Sequence, residues 1–498
     1  MTAQQAQHSV KTLLAGFSAS VADLSVTGVE MDSRRVAPGN LFLACKGQGQ
    51  HHGLAHLHQA LERGAAAVAW EPAADWSRPE IKIPEIAVVK LARHAGEIAS
   101  RYYGEPTREM FTVGVTGTDG KTSTAYLIAQ ALDRLDQPCA YLGTLGYGRI
   151  GKLDVATHTT PDAVTLQRHF AQMHAQGARS AAMEVSSHAL DQDRISGVHF
   201  DAAVLTNIMR DHLDYHGTVE NYAAAKRKLF ERPGLKAAIF NRDDARGAQW
   251  LEEFGDIAIA YGLDGEVPAS HRYVFGRKLE LLSTGLAFDI DSSWGQARIQ
   301  SQLFGRFNAY NLLAALAAIL QGGVSLQDAV VALNQSQTVP GRIEGYRGAQ
   351  AMPLVVVDYA HTPQALEQIL KAVRAHTPGK LWCVFGCGGD RDRGKRPLMA
   401  AAAATYADEL VITDDNPRSE NPEAIVSEIR TGLPNGHAAR VIHDRAQAIT
   451  AAVRAAGKND SVVVAGKGHE DYQIYGADVR QFSDRNFVAN LVGVEPRP

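Results

Sequence analysis

Residues suited to binding phosphate lie together in the segment Gly117-Thr118-Asp119-Gly120-Lys121-Thr122-Ser123, between an apolar stretch and a helical one. Backbone N–H groups in a glycine-rich loop, with a helix N-terminus behind them, form a cradle for phosphate anions. Lys121 can reach the outer phosphates of a nucleotide, and the Thr122 hydroxyl can ligate Mg²⁺. The full Walker spacing requires glycine at position 115, which is Val115. We therefore predict a shortened phosphate loop; the alternative is an ordinary glycine turn that caps a helix.

Two polar segments, 183–188 and 206–217, follow apolar runs typical of strand ends, where α/β proteins bind ligands. His212 and His216 have the i, i+4 spacing of a helical zinc pair, but the glutamate of HExxH and a third ligand are missing. Glu184 as a hard oxygen ligand for the Mg²⁺ of a bound nucleotide is the simpler interpretation. The alternative for the histidines is that they are solvated or hydrogen-bonded loop residues.

Three segments closer to the C-terminus, 386–396, 414–418 and 466–470, also follow apolar runs and combine charges of both signs. Arg391 occupies the last glycine position of G-x-G-x-x-G, which disfavours NAD binding. Asp390 and Asp392 interrupt the cations around them, which disfavours a nucleic-acid patch. A crevice with both signs of charge suits a zwitterion such as an amino acid. Surface turns are the alternative for any one segment, though hardly for all three.

The elements that must position these segments alternate between short β-branched runs and alanine-rich helical stretches, a pattern typical of α/β domains with parallel sheets. At about 150 residues per domain, the length predicts three domains. We expect a small N-terminal α/β domain (1–92), a central P-loop ATPase-like α/β domain (93–340) and a C-terminal Rossmann-like, doubly wound domain (341–498). Val339-Pro340-Gly341 is the expected hinge before the third domain.

Composition excludes several classes of protein. Of the 498 residues 45% are hydrophobic, too many for a disordered chain, and 50 basic against 54 acidic residues give a net charge of −4. This charge offers no general attraction to nucleic acid or to an anionic membrane. The longest apolar run, Leu312 to Leu320, is half of a membrane span, and the four scattered cysteines suit a reducing cytosol. We expect a soluble, cytoplasmic monomer that is not inserted in a membrane.

Read in order after the phosphate loop, the motifs MEVSSH, DHLDYHG, DYAHTP, GCGGDRD and DNPR resemble the Mur ligase family of peptidoglycan synthesis over essentially the whole chain. The resemblance implies three substrates: ATP, UDP-N-acetylmuramoyl-L-alanyl-D-glutamate and an amino acid. DNPR favours meso-2,6-diaminopimelate over L-lysine as that amino acid.

The resemblance also implies site residues. ATP would be bound by Gly117, Thr118, Asp119, Gly120, Lys121, Thr122, Ser123, Asn308, Asn311, Arg342 and Asp358. The UDP substrate would be bound by Met31, Ser33, Thr159, Thr160, Ser186, Gln192 and Arg194, with His158 where the family commonly has asparagine. Diaminopimelate would be bound by Arg391, Asp415, Asn416, Pro417, Arg418, Gly466 and Glu470. Magnesium would be held near Thr122, Glu184, His212 and Lys226, and Lys226 matches the lysine that the family carbamylates. Lys121, Lys226 and His212 would be the catalytic residues.

Joining a carboxylate to an amine at neutral pH requires a better leaving group than oxide, and ATP supplies phosphate for that purpose. We therefore predict an acid–amino-acid ligase that forms an acyl phosphate on the D-glutamate γ-carboxylate and releases ADP and phosphate. One alternative keeps the scaffold with another substrate, as in folylpolyglutamate synthase or the lysine-adding ligases. The other alternative is an ATP-dependent switch or binding module.

Overall fold

The computed structural model describes residues 8–18, 23–47, 49–156, 158–266, 270–349 and 352–495. The chain forms two compact units: the first consists mostly of the chain up to Tyr261, and the second mostly of Val274–Leu313 and the chain after Leu326.

The described strands are β1 (His8–Ser9), β2 (Ser25–Val26), β3 (Gly28–Glu30), β4 (Asn40–Ala44), β5 (Ala67–Trp70), β6 (Glu85–Ala87), β7 (Phe111–Thr116), β8 (Cys139–Gly143), β9 (Gly146–Arg149), β10 (Lys152–Asp154), β11 (Ser180–Glu184), β12 (Ala202–Leu205), β13 (Ala237–Asn241), β14 (Ala258–Leu263), β15 (Arg272–Leu282), β16 (Gly285–Ser292), β17 (Gly295–Ser301), β18 (Glu344–Arg347), β19 (Leu354–Asp358), β20 (Leu381–Phe385), β21 (Glu409–Ile412), β22 (Ala439–Val441), β23 (Ser461–Ala465), β24 (Tyr472–Tyr475) and β25 (Asp478–Gln481).

The described α-helices are α1 (Val10–Leu13), α2 (Leu57–Glu62), α3 (Leu91–Tyr102), α4 (Lys121–Arg134), α5 (Ala163–Ala175), α6 (Ser187–Asp191), α7 (Leu213–His216), α8 (Val219–Arg227), α9 (Ala245–Phe254), α10 (Arg306–Gln321), α11 (Leu326–Asn334), α12 (Pro363–Arg374), α13 (Lys395–Tyr406), α14 (Pro422–Arg430), α15 (Arg445–Ala455) and α16 (Asp484–Val492). Short 3₁₀ turns lie at Ser33–Arg35, Gly53–His56, Pro106–Arg108 and Gly255–Ile257. Among the residues described, no helix is both long enough and apolar enough to cross a bilayer.

The first unit begins with a parallel sheet in the order β3-β4-β5-β6. Successive side chains of a strand point to opposite faces of the sheet, so the side chains of β4 pack alternately into two hydrophobic cores. Leu41 and Leu43 pack into the cluster that includes Leu91 and Ile98 of α3, whereas Phe42 and Ala44 pack on the other side of the sheet. The predicted small α/β unit near the N-terminus is therefore present, with a helix that begins as a 3₁₀ turn at Gly53 and becomes α-helical at Leu57.

The sheet of the first unit that carries the phosphate loop has the order β10-β9-β8-β11-β7-β12-β13-β14. Its strands from β8 to β14 are parallel, and β9 and β10 form an antiparallel edge. Because β7 lies between β11 and β12, with Val115 beside Glu184 and Thr116 beside Leu205, the segments that follow these three strands emerge at one edge of the sheet. This is the edge at which α/β sheets bind ligands.

The second unit contains a doubly wound sheet in the order β18-β19-β23-β20-β21-β22, parallel except for β18. Val356 of β19 packs into the core under α12, α13 and α14, and its neighbours Val355 and Val357 face the core under α15 and α16. The Rossmann-like prediction for this region is confirmed in its helix placement on both faces. Two antiparallel elements that the sequence did not predict accompany it: the ribbon β15-β16-β17 and the hairpin β24-β25.

Candidate functional site

The predicted phosphate loop joins β7 to α4. Gly117 has φ of +146°, and a side chain there would collide with Thr206 Oγ1, so the position requires glycine. Gly120 precedes the first turn of α4 in a left-handed conformation, φ +83°. The loop thus opens a 14-residue helix directly from a buried strand, the arrangement that aims backbone N–H groups at an anion.

The segment after β12 holds this loop in place. Thr118 N donates to Asn207 O at 2.9 Å, and Asp119 N donates to Asn207 Oδ1 at 3.0 Å. Thr206 Oγ1 donates to Asp119 O at 2.5 Å, and Met209 N donates to Thr118 Oγ1 at 2.9 Å. Of the two polar segments predicted beyond strand ends, 183–188 starts at the end of β11 on one side of β7. The other segment, 206–217, follows β12 on the opposite side of β7 and holds the phosphate loop through these hydrogen bonds.

Glu184, the last residue of β11, presents a fully buried carboxylate that is surrounded by donors. It accepts from the Tyr141 hydroxyl at 2.6 Å, from Thr144 N at 2.8 Å and from the Thr122 hydroxyl at 2.7 Å. The Thr122 hydroxyl and a carboxylate oxygen form the kind of oxygen pair that suits Mg²⁺, so these two residues fit the predicted metal role. Across the described part of the chain, no three His, Cys, Asp or Glu side chains come together as a metal site.

Two lysine side chains converge on the carbonyl oxygen of Gly117. Lys121 Nζ donates to it at 2.9 Å and Lys226 Nζ at 2.7 Å, and Lys121 also donates to Thr118 O at 2.6 Å. Burial lowers the pKa of both lysines; the pKa of Lys226, whose side chain is 1% exposed, lies well below its ordinary value, and the nearby charge of Lys121 adds to this effect. Within the described residues neither ammonium pairs with a carboxylate. The loop therefore concentrates positive charge that an anionic ligand can neutralise.

His212 lies beside this cluster and has no contact with Glu184 or Thr122 among the interactions described. It precedes α7 with φ of +50°, its Nε2 is 3.4 Å from Asp211 Oδ2, and its ring centroid is 4.9 Å from that of His188. His216 is buried and its Nε2 is hydrogen-bonded to Ser187 Oγ at 3.0 Å. The two histidines are thus in different environments: His212 is an exposed residue before α7, whereas His216 is buried at the end of α7 and hydrogen-bonded to protein. The interpretation as a loop residue therefore fits His212 but not His216.

The residues predicted to bind the UDP substrate form two groups in the first unit. Arg194 donates to Thr160 O at 3.0 Å and to Gln192 Oε1, Thr160 Oγ1 donates to the main-chain oxygen of Glu184 at 2.9 Å, and Ser186 N donates to Thr160 Oγ1 at 3.3 Å. Thr159 Oγ1 is 3.1 Å from Thr144 Oγ1. These contacts join the predicted substrate residues to the carboxylate that holds Thr122.

The second group lies in the N-terminal sheet region. The Ser33 hydroxyl donates to Gln59 Oε1 at 2.7 Å, and Met31 packs against the core cluster under α3. A separate cavity of about 160 Å³ is lined by Arg35, His158, Thr159, Thr165 and His169, together with apolar and glycine residues. The unusual His158 is therefore exposed at the rim of a cavity, next to the predicted Thr159.

Four predicted nucleotide residues belong to the second unit. Asn311 Nδ2 donates to Asn308 Oδ1 at 2.9 Å, and Asn308 Nδ2 donates to Phe304 O at 2.8 Å, so the two buried amides form one chain at the start of α10. Asp358 ends β19 and accepts from Ile343 N at 2.8 Å and from Ala360 N at 2.7 Å, although burial raises its pKa. Arg342, which is exposed, lies over the ring of Tyr359 at 5.4 Å.

The three predicted diaminopimelate segments meet at the ends of β20, β21 and β23. Asn416 Nδ2 donates to Glu470 Oε2 at 3.1 Å, and the fully buried Lys467 donates to Glu470 Oε2 at 3.1 Å and to Asn416 Oδ1 at 3.3 Å. Gly466 has φ of +119°, and a side chain there would be 2.7 Å from Asp415 Oδ2. The convergence of charges expected from the sequence is present, and most of these charges have partners.

The Arg418 guanidinium pairs with no carboxylate among the described residues, whereas Arg393 and Arg396 nearby both pair with Glu420. Arg418 has φ of +53°, and its Nη1 donates to Gly389 O at 2.8 Å. The loop that contains Gly389 is itself fixed, since Gly389 N donates to Asn416 O at 2.9 Å. Arg391, from the same loop, is exposed, with a hydrogen bond from Nη1 to Asp390 O at 3.2 Å. Pro417 stands between Asn416 and Arg418. The two loops therefore present two arginines, Arg391 and Arg418, that are bonded to main-chain carbonyl groups and to no carboxylate among the described residues.

The sequence did not predict several residues that contact these sites. Tyr141 and Thr144 hold the Glu184 carboxylate, and Lys467 holds Glu470, but nothing about these residue types alone marks them. Gln473 and Tyr475 of β24 contact Asp414 and Asp415. The alternation Tyr472-Gln473-Ile474-Tyr475 before Gly476 was the available signal for a hairpin there.

Three family models match this chain, one after another. They are described as Mur ligase family, catalytic domain, over residues 25–103; Mur ligase middle domain, over residues 115–319; and Mur ligase, glutamate ligase domain, over residues 341–468. Together they include the phosphate loop, the Glu184 segment and the loop that carries Arg418.

Several similar proteins of about the same length carry the name UDP-N-acetylmuramoyl-L-alanyl-D-glutamate–2,6-diaminopimelate ligase. The protein of that name from Alkalilimnicola ehrlichii is 50% identical over 95% of this chain and 96% of its own length. The one from Pseudomonas aeruginosa is 47% identical over 93% of this chain and 94% of its own length. A solved structure of the same name has a TM-score of 0.80 and 36% identity, covering 98% of this chain and 99% of that one.

Proposed function

The chain belongs to the Mur ligase family, and on that premise we propose that it is an ATP-dependent ligase that joins meso-2,6-diaminopimelate to UDP-N-acetylmuramoyl-L-alanyl-D-glutamate in peptidoglycan biosynthesis. The division into residues 1–92, 93–340 and 341–498 remains part of this proposal, as do cytoplasmic location and a monomeric state. The structural observation that carries it is the pair of lysines at Gly117, which leaves positive charge without a carboxylate partner where a nucleotide phosphate would bind.

The reaction proceeds in two steps. The γ-carboxylate of the D-glutamate attacks the γ-phosphorus of ATP, and ADP leaves, which produces an acyl phosphate. The amine then attacks the acyl carbon, a tetrahedral intermediate forms, and phosphate leaves as the nitrogen loses its proton. Lys121 stabilises the charge on the transferring phosphoryl group, and the backbone N–H groups of the loop orient the phosphates. The proposal also includes four nucleotide contacts from the second unit: Asn308, Asn311, Arg342 and Asp358.

Thr122 and Glu184 are the residues that would hold magnesium, because they bring a hydroxyl and a buried carboxylate within 2.7 Å of each other. Bound there, Mg²⁺ supplies Lewis-acid stabilisation of phosphate oxygens. The Tyr141 hydroxyl and Thr144 N donate to Oε1 of Glu184 and so fix the carboxylate with Oε2 at the Thr122 hydroxyl. His212, which is exposed, serves as an electrostatic partner rather than as an essential base.

Lys226 has the properties that carbamylation requires. A carbamate forms when a neutral amine attacks carbon dioxide, and the lowered pKa of this buried lysine favours the neutral amine. The product is an anion beside Lys121, which replaces repulsion between two cations with attraction. Tyr222, one helical turn earlier on α8, covers Lys226 Nζ with its ring at 4.4 Å and so confines the group to the loop.

The choice of amine depends on Arg418. Diaminopimelate differs from lysine by a second carboxylate at the far end of its side chain, and a guanidinium can bind a carboxylate through two parallel hydrogen bonds. Asp415, Asn416 and Glu470 offer the acceptors that an ammonium group needs, so the pocket complements both ends of a zwitterion. Arg391 and Gly466 complete the predicted set.

A coupled phosphate-release assay tests the proposal. Purified protein, ATP, Mg²⁺ and UDP-N-acetylmuramoyl-L-alanyl-D-glutamate are combined with meso-diaminopimelate, L-lysine, L-glutamate or no amine. We expect rapid phosphate release and a new amide product with diaminopimelate, a low but measurable rate with L-lysine, and neither product with L-glutamate or without an amine. Equal release without an amine would instead support an ATP-dependent switch, and a preference for lysine or glutamate would support the related ligases.

A further inference from the structure

The hairpin β24-β25 has one buried residue in its strands, Gln473, which is 7% exposed. A buried amide must find hydrogen-bond partners, and Gln473 finds them outside the hairpin. Its Nε2 donates to Asp415 O at 2.9 Å and to Asp414 O at 3.3 Å. The side chain of one hairpin residue therefore fixes the main chain of the loop that leads to Arg418.

The backbone of β24 continues this attachment toward Arg418. Ile474 N donates to Asn416 Oδ1 at 3.1 Å, and Arg418 N donates to Ile474 O at 2.9 Å. Gly476 N donates to Arg418 O at 2.6 Å. Together with the Gln473 amide, these bonds hold 414–418 along its whole length.

Arg418 needs such support because its backbone is in the left-handed region, φ +53°, which side-chain-bearing residues rarely adopt. Both of its main-chain polar groups are bonded to the hairpin, which offsets that strain. In this conformation Nη1 reaches Gly389 O, and the guanidinium is left without a carboxylate partner among the described residues.

We propose that the hairpin β24-β25 determines amino-acid specificity and that Gln473 is its positioning residue, which keeps Arg418 placed for the distal carboxylate of diaminopimelate. The inference rests on the proposed function. Gln473 itself acts through the carbonyl groups of Asp414 and Asp415. If its role were only structural, its loss would lower stability and affect all amines alike.

The test is Gln473→Met, which keeps the length and volume of the side chain but removes both donors. Losing a hydrogen bond that holds the loop should raise KM for diaminopimelate about tenfold with kcat nearly unchanged. The KM values for ATP and the UDP substrate, and the low efficiency with L-lysine, should stay within about twofold of wild type. Gln481→Met, at an exposed position paired with Tyr472 in the same hairpin, is the matched control and should change nothing.

A double-mutant comparison separates positioning from general damage. On an Arg418→Ala background, Gln473→Met should produce no further fall in the ratio of efficiencies with diaminopimelate and lysine. An equal loss with both amines, or a full additional loss on that background, would overturn the inference.

If Gln473→Met does not fold, Tyr475→Phe replaces it, because the Tyr475 hydroxyl donates to Asp414 Oδ2 at 3.1 Å. A smaller fall of the same ratio then supports the inference, and an unchanged ratio overturns it.

The two proposals fail differently. A wild-type enzyme that does not use diaminopimelate would overturn both. A wild-type enzyme that prefers diaminopimelate, combined with a Gln473→Met variant of unchanged preference, would overturn the hairpin inference and leave the function intact.

Discussion

The phosphate loop of the first unit and the Arg418 pocket of the second unit differ in how far their charged side chains are paired with opposite charges. At the loop, Lys121 and Lys226 share one carbonyl oxygen, and no described carboxylate neutralises them. In the pocket, Lys467, Glu470 and Asn416 are hydrogen-bonded to one another, whereas the guanidinium of Arg418 is bonded to a main-chain carbonyl and to no carboxylate among the described residues. The first site holds basic groups that an anion, either a nucleotide phosphate or the proposed carbamate of Lys226, would offset, whereas most charges of the second site are already paired within the protein.

The difference shows what each site contributes. Basic side chains without carboxylate partners suit the step in which negative charge develops during phosphoryl transfer. A pocket whose charges are mostly paired distinguishes amines by whether they place a carboxylate at Arg418. Variants of the loop should therefore change turnover, and variants of the pocket should change the choice of amine.

The largest effect should follow from Lys121→Ala. Removing a cation that stabilises the transferring phosphoryl group costs about 3 to 4 kcal/mol, so turnover should fall by hundreds-fold or more in the phosphate-release assay. Thermal unfolding should show no loss of stability, because a partly buried cation without an ion pair contributes little to folding. Lys152→Ala, an exposed lysine of β10, is the control. Near-normal turnover would refute the assignment of the phosphate loop.

Lys226→Ala should lose about a hundredfold in turnover, in line with the effect of groups that support a metal site. Because the active form is proposed to be a carbamate, short carboxylic acids such as acetate should restore part of the activity by placing an anion in the space left. The rescue is measured as turnover against acid concentration, with Lys121→Ala as the variant that should not respond. An alanine variant with full activity would show that Lys226 has no role in the reaction.

Arg418→Ala tests the pocket side of the comparison. A hydrogen bond to a charged group contributes about 1.5 to 3 kcal/mol, so kcat/KM with diaminopimelate should fall by about one to two decades. Efficiency with L-lysine should change much less, since lysine has no distal carboxylate. An equal penalty for both amines would contradict the role of Arg418 in specificity.

The smallest effect concerns His443, whose Nδ1 is 2.8 Å from Asp414 Oδ1 and whose Nε2 is 2.8 Å from Glu423 Oε2. These carboxylates raise its pKa above the ordinary 6.5. A raised pKa in the folded state gives stability that is complete below pH 6.5 and is lost as pH rises through the raised value. His443→Asn should therefore lower the free energy of unfolding by about 0.5 kcal/mol at acidic pH, because solvent screens the pair, and by less at alkaline pH. Denaturant titrations of both proteins at two pH values measure the difference, and a gap that widened with pH would contradict it.

Local patterns predicted the parallel strands of both units well. The apolar runs Leu381 to Phe385 and Ser461 to Ala465 predict strands, and the structure has strands with those bounds. The run Phe111 to Val115 also predicts a strand, and β7 extends it by one residue to Thr116. Such strands are buried on both faces, so an unbroken apolar run identifies them. The sequence predicts a helix from Thr122 to Leu135 after the phosphate loop, whereas α4 spans Lys121–Arg134 because Gly120 takes the position of the helix cap.

Elements that depend on distant partners were not predicted. Strand β15 carries charged residues on its exposed face, and its pairing with β16 cannot be inferred from composition. The position of Gln473 has meaning only because it meets a loop 58 residues earlier in the chain. In the same way, motifs predicted Glu184 and Arg418 as site residues. Tertiary packing determines that donors surround the Glu184 carboxylate and that the Arg418 guanidinium has no carboxylate partner among the described residues.

Glu184 makes two connections at once: its carboxylate accepts from Thr122 of the phosphate loop, and its main-chain oxygen accepts from Thr160 of the predicted substrate group. A shift of Thr122 can therefore reach Thr160 through a single residue. We expect this link to couple the binding of the two proposed ligands, and such coupling is reciprocal. Whatever factor ATP imposes on the affinity for the UDP substrate, the UDP substrate must impose on the affinity for ATP. Thr160→Val, which removes the hydroxyl link, should bring that factor toward one.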